Sequence, residues 1–222
     1  MIIAIDGPSG AGKSTLGKML AKELNLLYLD TGAMYRSVAL AVLLEEVSAR
    51  DHEEIAEIAV DSEIKLDGKP DKLRVRLNGE NVTDDIRTNE VSQIASIVST
   101  IPAVRKELVR RQRELGKASK TGAVLDGRDI GTVVFPKADV KFYLTATAEA
   151  RAKRRHEEDK AKGIKTKLEK TLGEIIRRDE RDANRKHSPL QKADDAIEID
   201  TSEMNLEQVF ERMLAEIEKK TP

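Results

Sequence analysis

The sequence contains no cysteine and no tryptophan, and only 3% of its residues are aromatic. Without cysteine there is no disulfide framework and no thiolate metal site. No apolar run approaches the ~18 residues of a membrane span, and nothing near the start reads as a secretory leader. The chain is therefore expected to work in the cytoplasm, away from membranes. An excess of one charge is missing too: 39 Lys and Arg face 40 Asp and Glu, a net charge of −1. That balance argues against a nucleic-acid binder with a global positive field. What remains is 222 residues, 39% hydrophobic and 36% charged, enough for one good-sized domain with insertions or two small ones.

Against this background one stretch organises the chain. Gly7-Pro8-Ser9-Gly10-Ala11-Gly12-Lys13-Ser14 fits G-x-x-x-x-G-K-[ST] and follows an apolar, β-branched run from Met1 to Ile5. Glycines let consecutive backbone N–H groups curl around phosphate oxygens, and the following helix adds its positive end. Lys13 supplies a mobile charge for the β- and γ-phosphates, and the Ser14 hydroxyl is a ligand for Mg²⁺. Leu16, Met19, Leu20 and Leu24 recur at helical spacing downstream, so strand, glycine loop and helix stand in the order the motif requires. The stretch 7–15, closing on Thr15, is the expected ATP site.

Further along, Leu26 to Leu29 reads as a strand leading into a Thr31-Gly32 turn, then a helix through Met34, Val38, Ala41 and Leu44. Residues 45–61 turn acidic and surface-like, with His52 solvent-exposed. Between Val60 and Thr83, apolar residues alternate with charged ones around Asp67-Gly68-Lys69-Pro70 and Asn78-Gly79, the pattern of a small antiparallel meander. Helices are expected over 89–100 and from Pro102 to a stop at Gly116, the second with Val104, Leu108 and Leu115 buried. Strands are expected at 123–125, 140–144 and 196–199, the last before an amphipathic C-terminal helix. Strands alternating with helices imply a parallel sheet covered on both faces.

Residues 145–163 hold no large apolar side chain. A helix capped by Thr147 there has no greasy face and should project into solvent, carrying Arg151, Lys153, Arg154 and Arg155. A lid over phosphates fits that description, and a plain surface hairpin is the alternative. Next comes an amphipathic helix with Leu168, Leu172, Ile175 and Ile176. Arg178, Asp182 and Arg185, at i, i+4 and i+7, form a separate stripe suited either to an exposed ion pair or to a nucleotide monophosphate.

Such a phosphate loop serves small-molecule kinases, GTPase switches and ATPase or motor modules. The Asn-Lys-x-Asp guanine reader of GTPases is missing, and the chain is short for a helicase-type ATPase. A kinase needs acceptor ligands, and Thr31, Arg36, Arg105, Arg128, Asp129, Arg178, Asp182 and Arg185 are candidates.

The combination of Asp6–Ser14 with Asp30-Thr31-Gly32-Ala33-Met34-Tyr35-Arg36 resembles the bacterial cytidylate kinases. So do Ile86-Arg87-Thr88, the helix from Val104-Arg105 to Arg110-Arg111-Gln112-Arg113, Asp126-Gly127-Arg128-Asp129 running on to Phe135-Pro136, and Arg178-Asp179-Glu180-Arg181-Asp182 with Pro189-Leu190. These matches span nearly the whole chain in order. The resemblance implies an α/β fold: a three-layer P-loop core with a five-stranded parallel sheet, a helical lid, and a small antiparallel β insert in the arm that binds the nucleoside monophosphate. It implies a core of 1–30, 101–146 and 165–222, an acceptor arm of 31–100 with its insert at 61–83, and a lid at 147–164. It implies transfer of the ATP γ-phosphoryl group to CMP or dCMP with Mg²⁺ held at Ser14, in a monomer with no nucleic-acid partner. By the same resemblance Arg36, Arg128 and Arg185 hold the CMP phosphate, and Ser96, Arg105 and Asp129 read cytosine. Arg178 and Asp182 take the sugar hydroxyls, and Thr31 lines the acceptor site. Lys13, Arg128, Arg154 and Arg185 act on the transferred phosphoryl group, Arg154 being one of the lid cations with Arg151 and Arg155.

Overall fold

The computed structural model describes residues 1–161, 163–185 and 188–220. Among them the chain runs β1 (Ile2–Asp6), α1 (Lys13–Glu23), β2 (Leu27–Asp30), α2 (Thr31–Leu44), α3 (His52–Asp61), β3 (Ile64–Asp67), β4 (Arg74–Leu77), β5 (Glu80–Asn81) and α4 (Asn89–Val98). It continues through α5 (Pro102–Ala118), β6 (Ala123–Asp126), β7 (Val140–Thr145), α6 (Ala148–Ala161), α7 (Leu168–Ala183), β8 (Ile197–Asp200) and α8 (Leu206–Lys220). The expected five-stranded parallel sheet is present, in the order β2-β6-β1-β7-β8. Ile3, Ala4 and Ile5 of β1 and Ala123, Val124 and Leu125 of β6 are fully buried. Strands covered on both faces read as continuous apolar runs, as these do. β1 pairs in parallel with β7, Ile5 opposite Phe142, and β7 with β8, Leu144 opposite Ile199.

Two compact units make up the chain. The first comprises Met1–Leu20 and Asp126–Pro222. It contains the glycine loop at the end of β1, the turn after β6, and α6 to α8. Val209, Met213 and Ile217 give α8 its buried i, i+4, i+8 stripe.

The second unit is Ala21–Leu125. Its core joins Met34 and Val38 of α2, Ile55 of α3, Val91 and Val98 of α4, and Val104 and Leu108 of α5. The expected meander is a three-stranded antiparallel sheet, β3-β4-β5. Asn78 and Gly79 both take positive φ, 50° and 89°, the backbone a tight hairpin turn requires. Val75, Leu77 and Val82 of this insert belong to the same core.

Several local expectations are corrected. Thr31 and Gly32 do not form a turn. The Asp30 carboxylate accepts a hydrogen bond from Ala33 N–H at 2.8 Å, and that cap starts α2 at Thr31. Within 45–61, α3 is capped by Asp51 and buries Ile55, Ile58 and Ala59, so the acidic segment is surface on one side only; His52 is exposed, as expected. Gly116 does not stop α5. It is buried inside the helix, on the face that carries Leu108 and Gln112, and the helix ends at Ala118. In α7 the two expected stripes are one. Thr171, Ile175 and Asp182 are buried together with half-buried Arg178, whereas Leu168 and Ile176 are exposed.

The expected projecting helix is α6, capped by Thr147 Oγ1 accepting from Ala150 N–H at 3.2 Å. It is not free of the body, because its first turn docks through a charge instead of an apolar face. Arg151 is buried and ion-paired with Asp179 of α7 at 2.6 Å. Beyond it Lys153 and Arg155 face solvent.

Candidate active site

The carboxyl end of β1 turns into the glycine loop through Gly7, at φ 144°. A Cβ there would lie 2.0 Å from the Leu144 carbonyl oxygen, so only glycine fits. Gly10 and Gly12 also have positive φ, 81° and 88°. The loop's helix begins at Lys13, whose buried Nζ donates to the Pro8 carbonyl at 2.7 Å. Burial first, then the Arg128 guanidinium, pull the Lys13 ammonium well below the ordinary lysine range, with Asp126 acting against them. Such a cation, beside further guanidiniums and at a helix start, is matched by a polyphosphate.

Ser14 Oγ donates to Asp126 Oδ2 at 2.7 Å. A hydroxyl and a carboxylate side by side are hard oxygen donors, the set that suits Mg²⁺ shared with phosphate oxygens and water. Among the described residues no group of three or more His, Cys, Asp or Glu could hold a metal without such help.

After β6 the chain makes the turn Gly127-Arg128-Asp129 and a single π-type helical turn, Ile130–Val134. Arg128 donates through Nε to Asp182 Oδ2 at 2.9 Å, and Arg185 Nη2 binds the other oxygen of the same carboxylate. Burial alone would raise the Asp182 carboxyl, but Arg128 and Arg185, with Arg178 near, outweigh it and hold it below its usual value. Arg178 and Asp182 are thus not an isolated exposed pair. One buried carboxylate orders a group of guanidiniums. Asp129 is buried in the same turn. Asp6 accepts from Ile130 and Gly131 N–H, and burial pushes its carboxyl up to about 6 despite those bonds.

The lid cations fall elsewhere. Arg151 donates to the Ala146 carbonyl at 2.9 Å and to the Ser9 carbonyl of the glycine loop at 3.1 Å. Arg154 is bonded to Thr201, through Oγ1 at 3.0 Å and the carbonyl. Arg155 pairs with Asp159 at 3.2 Å.

In the second unit, Arg36 pairs with the capping Asp30 at 3.0 Å beside buried Thr31. Arg105 is buried, donates to the Ser99 carbonyl at 3.3 Å, and lies 5.7 Å over the Tyr35 ring. Ser96 Oγ and Arg36 Nε are buried with no hydrogen-bond partner. A buried polar atom left unpaired costs about 1–3 kcal/mol, which a polar ligand recovers.

Three side chains here escape a reading of the sequence as separate motifs. Asp126 and Asp6 each end a buried strand, the one signal that could have marked them. Tyr35 lies inside the Asp30–Arg36 motif, where Thr31 and Arg36 draw notice instead.

Comparison with known proteins bears on this arrangement. The family model described as cytidylate kinase matches residues 3–219. The chain is 49% identical over 220 residues to the cytidylate kinase of Halalkalibacterium halodurans, covering 99% of this chain and 98% of that one. It is 52% identical over 219 residues to that of Caldanaerobacter subterraneus subsp. tengcongensis, covering 99% and 95%. Among solved structures, an uncharacterized protein from Eubacterium ventriosum aligns with TM-score 0.53 at 13% identity, over 99% of this chain and 98% of that one. The last likeness is one of fold alone.

Proposed function

Because the chain belongs to the cytidylate kinase family and so transfers the γ-phosphoryl group of ATP to CMP or dCMP, giving CDP or dCDP and ADP, we propose that the residues described above divide that work as follows. Gly7 to Thr15 cradle the ATP phosphates with backbone N–H groups, and Lys13 leaves the Pro8 carbonyl for the β- and γ-oxygens. Ser14 and Asp126 hold Mg²⁺, which when bound neutralises charge on those phosphates. Arg36, Arg128 and Arg185 take the CMP phosphate; Ser96, Arg105 and Asp129 read the cytosine edge; Arg178 and Asp182 meet the sugar hydroxyls, with Thr31 lining the acceptor site. The acceptor arm is 31–100. The lid is 147–164, of which Lys162 lies outside the described residues, and Arg154 reaches the transferred group when it leaves Thr201.

No covalent intermediate is needed. The acceptor phosphate is already an anionic nucleophile, so positioning and charge neutralisation do the work. Closure of the lid excludes water, the competing acceptor. The partners are the small molecules CMP, dCMP and ATP. Among the described residues no helix is long and apolar enough to cross a membrane. We place the enzyme in the cytoplasm as a monomer.

The observation that carries this division of labour is the buried Lys13 beside the Ser14–Asp126 pair, with Arg128 and Arg185 joined on Asp182. A coupled assay of ADP release against CMP, dCMP, UMP, AMP and GMP tests the function. Turnover is expected with CMP and dCMP well above the rest. Preference for a purine monophosphate would contradict it.

A further inference from the structure

The turn that carries Arg128 and Asp129 is fastened at both ends to two consecutive residues of β1. Gly127 N–H donates to the Ile5 carbonyl at 3.0 Å. Ile130 N–H donates to Asp6 Oδ1 at 2.8 Å and Gly131 N–H to Asp6 Oδ2 at 2.7 Å. Asp6 is buried, and the next residue, Gly7, begins the phosphate loop. The approach is close: a Cβ on Gly131 would lie 3.3 Å from Asp6 Oδ2 and 3.1 Å from Lys141 Cδ. The two N–H groups reach two different oxygens of one side chain, which a carboxylate supplies, whereas an amide would set its NH₂ against one of them. The amides Asp6 holds start the π-type turn, in which Val134 N–H returns to the Asp129 carbonyl at 3.1 Å. Asp129 is thereby held from both sides.

We propose that Asp6 is a positioning residue for the acceptor nucleotide. It clasps the Arg128–Asp129 turn to the strand that launches the phosphate loop, and so sets where those two side chains meet CMP. This rests on the reading of Asp129 as a contact of CMP. Asp6 itself touches no substrate in this account. Satisfying two backbone amides would also serve the fold alone, so the test must separate placement from stability.

Steady-state kinetics on Asp6→Asn, with CMP and ATP varied in turn, make that separation. Asn keeps the volume but turns one acceptor into a donor facing an N–H. Because a misplacement of about 1 Å can cost ~10²-fold, kcat/KM for CMP is expected to fall about 10–100-fold while KM for ATP moves less than about threefold. In an Asp129→Ala background the same change should cost clearly less than it does in the wild type, since the part of its effect that acts through Asp129 is already gone and only the part through Arg128 remains. Gly131→Ala, which presses on the clasp from the other side, should show the same split between CMP and ATP. Equal losses for both substrates, losses that multiply in the double variant, or failure of both variants to fold would overturn the proposal. If Asp129→Ala alone leaves CMP kinetics intact, it is the reading of Asp129 that fails instead.

Discussion

Lys13 sits where a lysine's charge is poorly tolerated: buried, beside Arg128, and bonded to a single carbonyl. A depressed lysine value means that the charged side chain destabilises the free fold, and its compensation comes from the phosphates it binds. Lys13→Ala should therefore lower kcat by roughly 10³-fold while the melting temperature stays level or rises, as turnover and a thermal melt of the free protein will show. A marked fall in melting temperature would make Lys13 a structural residue. Asp6 raises the matching question for an acid. Its carboxyl stands at about 6 in the fold against an ordinary 3.8, so the native state holds that proton more tightly than the unfolded chain does. Its share of stability is then present at low pH and lost as pH rises through about 6. Relative to Asp6→Asn, the wild type should lose about 2.5 kcal/mol of unfolding free energy between about pH 4 and pH 7. Denaturant titrations across that range check it, and a difference independent of pH would contradict the burial of a charged Asp6.

Among the elements, α6 shows how a helix without an apolar face can still dock. Its anchor is Arg151, which ties the glycine loop at Ser9, the carbonyl of Ala146 just before the helix, and Asp179 of α7. Outward from that anchor the side chains are mostly exposed. Amide exchange in the free protein should accordingly be slow around Arg151 and fast over 153–161, with protection spreading outward when ATP and CMP are both added. Uniform protection of the free helix would exclude a lid. Arg151→Ala leaves the Asp179 carboxylate without its partner and should cost about 2 kcal/mol in a denaturant melt, together with a raised KM for ATP. The absence of large apolar residues from 145–163 was legible in the sequence; the buried arginine was not, because its partners are backbone carbonyls and a carboxylate on another helix. The same limit explains α3. Glu53, Glu54 and Glu57 thin out the apolar periodicity, and only the packing of Ile55, Ile58 and Ala59 shows it to be a core helix.

For the molecule as a whole, the sequence was most informative where a physical need is local. The glycine loop, the buried runs of β1 and β6, and the Asn78-Gly79 hairpin could be read directly, because each depends on a handful of neighbouring residues. The site's polar geometry was not so legible. Ser14 meets Asp126 across 112 positions, and Asp6 meets Gly131 across 125. Nothing in either neighbourhood announces those pairings. The β insert is a further case. Its alternation marked it as a meander, yet Val75, Leu77 and Val82 prove to be part of the second unit's core, so excising it would remove core residues as well. A milder probe suits it better: Val75→Ala should cost roughly 2 kcal/mol and weaken CMP binding more than ATP binding, as calorimetric titration would record. An effect on ATP alone would contradict assigning the insert to the acceptor side.

The proposed recognition of CMP rests on charge and hydrogen bonding to the cytosine edge. Cytosine offers an amino donor at N4 beside acceptors at N3 and O2, where uracil offers an acceptor at O4 and a donor at N3. On the division of labour proposed above, the Asp129 carboxylate would accept from N4 and the Arg105 guanidinium would donate to N3 or O2. UMP would leave both groups buried and mismatched, disfavouring it by roughly 10²–10⁴-fold in kcat/KM. The decisive measurement is the ratio of kcat/KM for CMP and UMP in the wild type and in Asp129→Ala. A large ratio is expected in the wild type, narrowing at least tenfold or so in the variant, chiefly through loss of CMP activity. A ratio that Asp129→Ala leaves unchanged would contradict the proposed recognition.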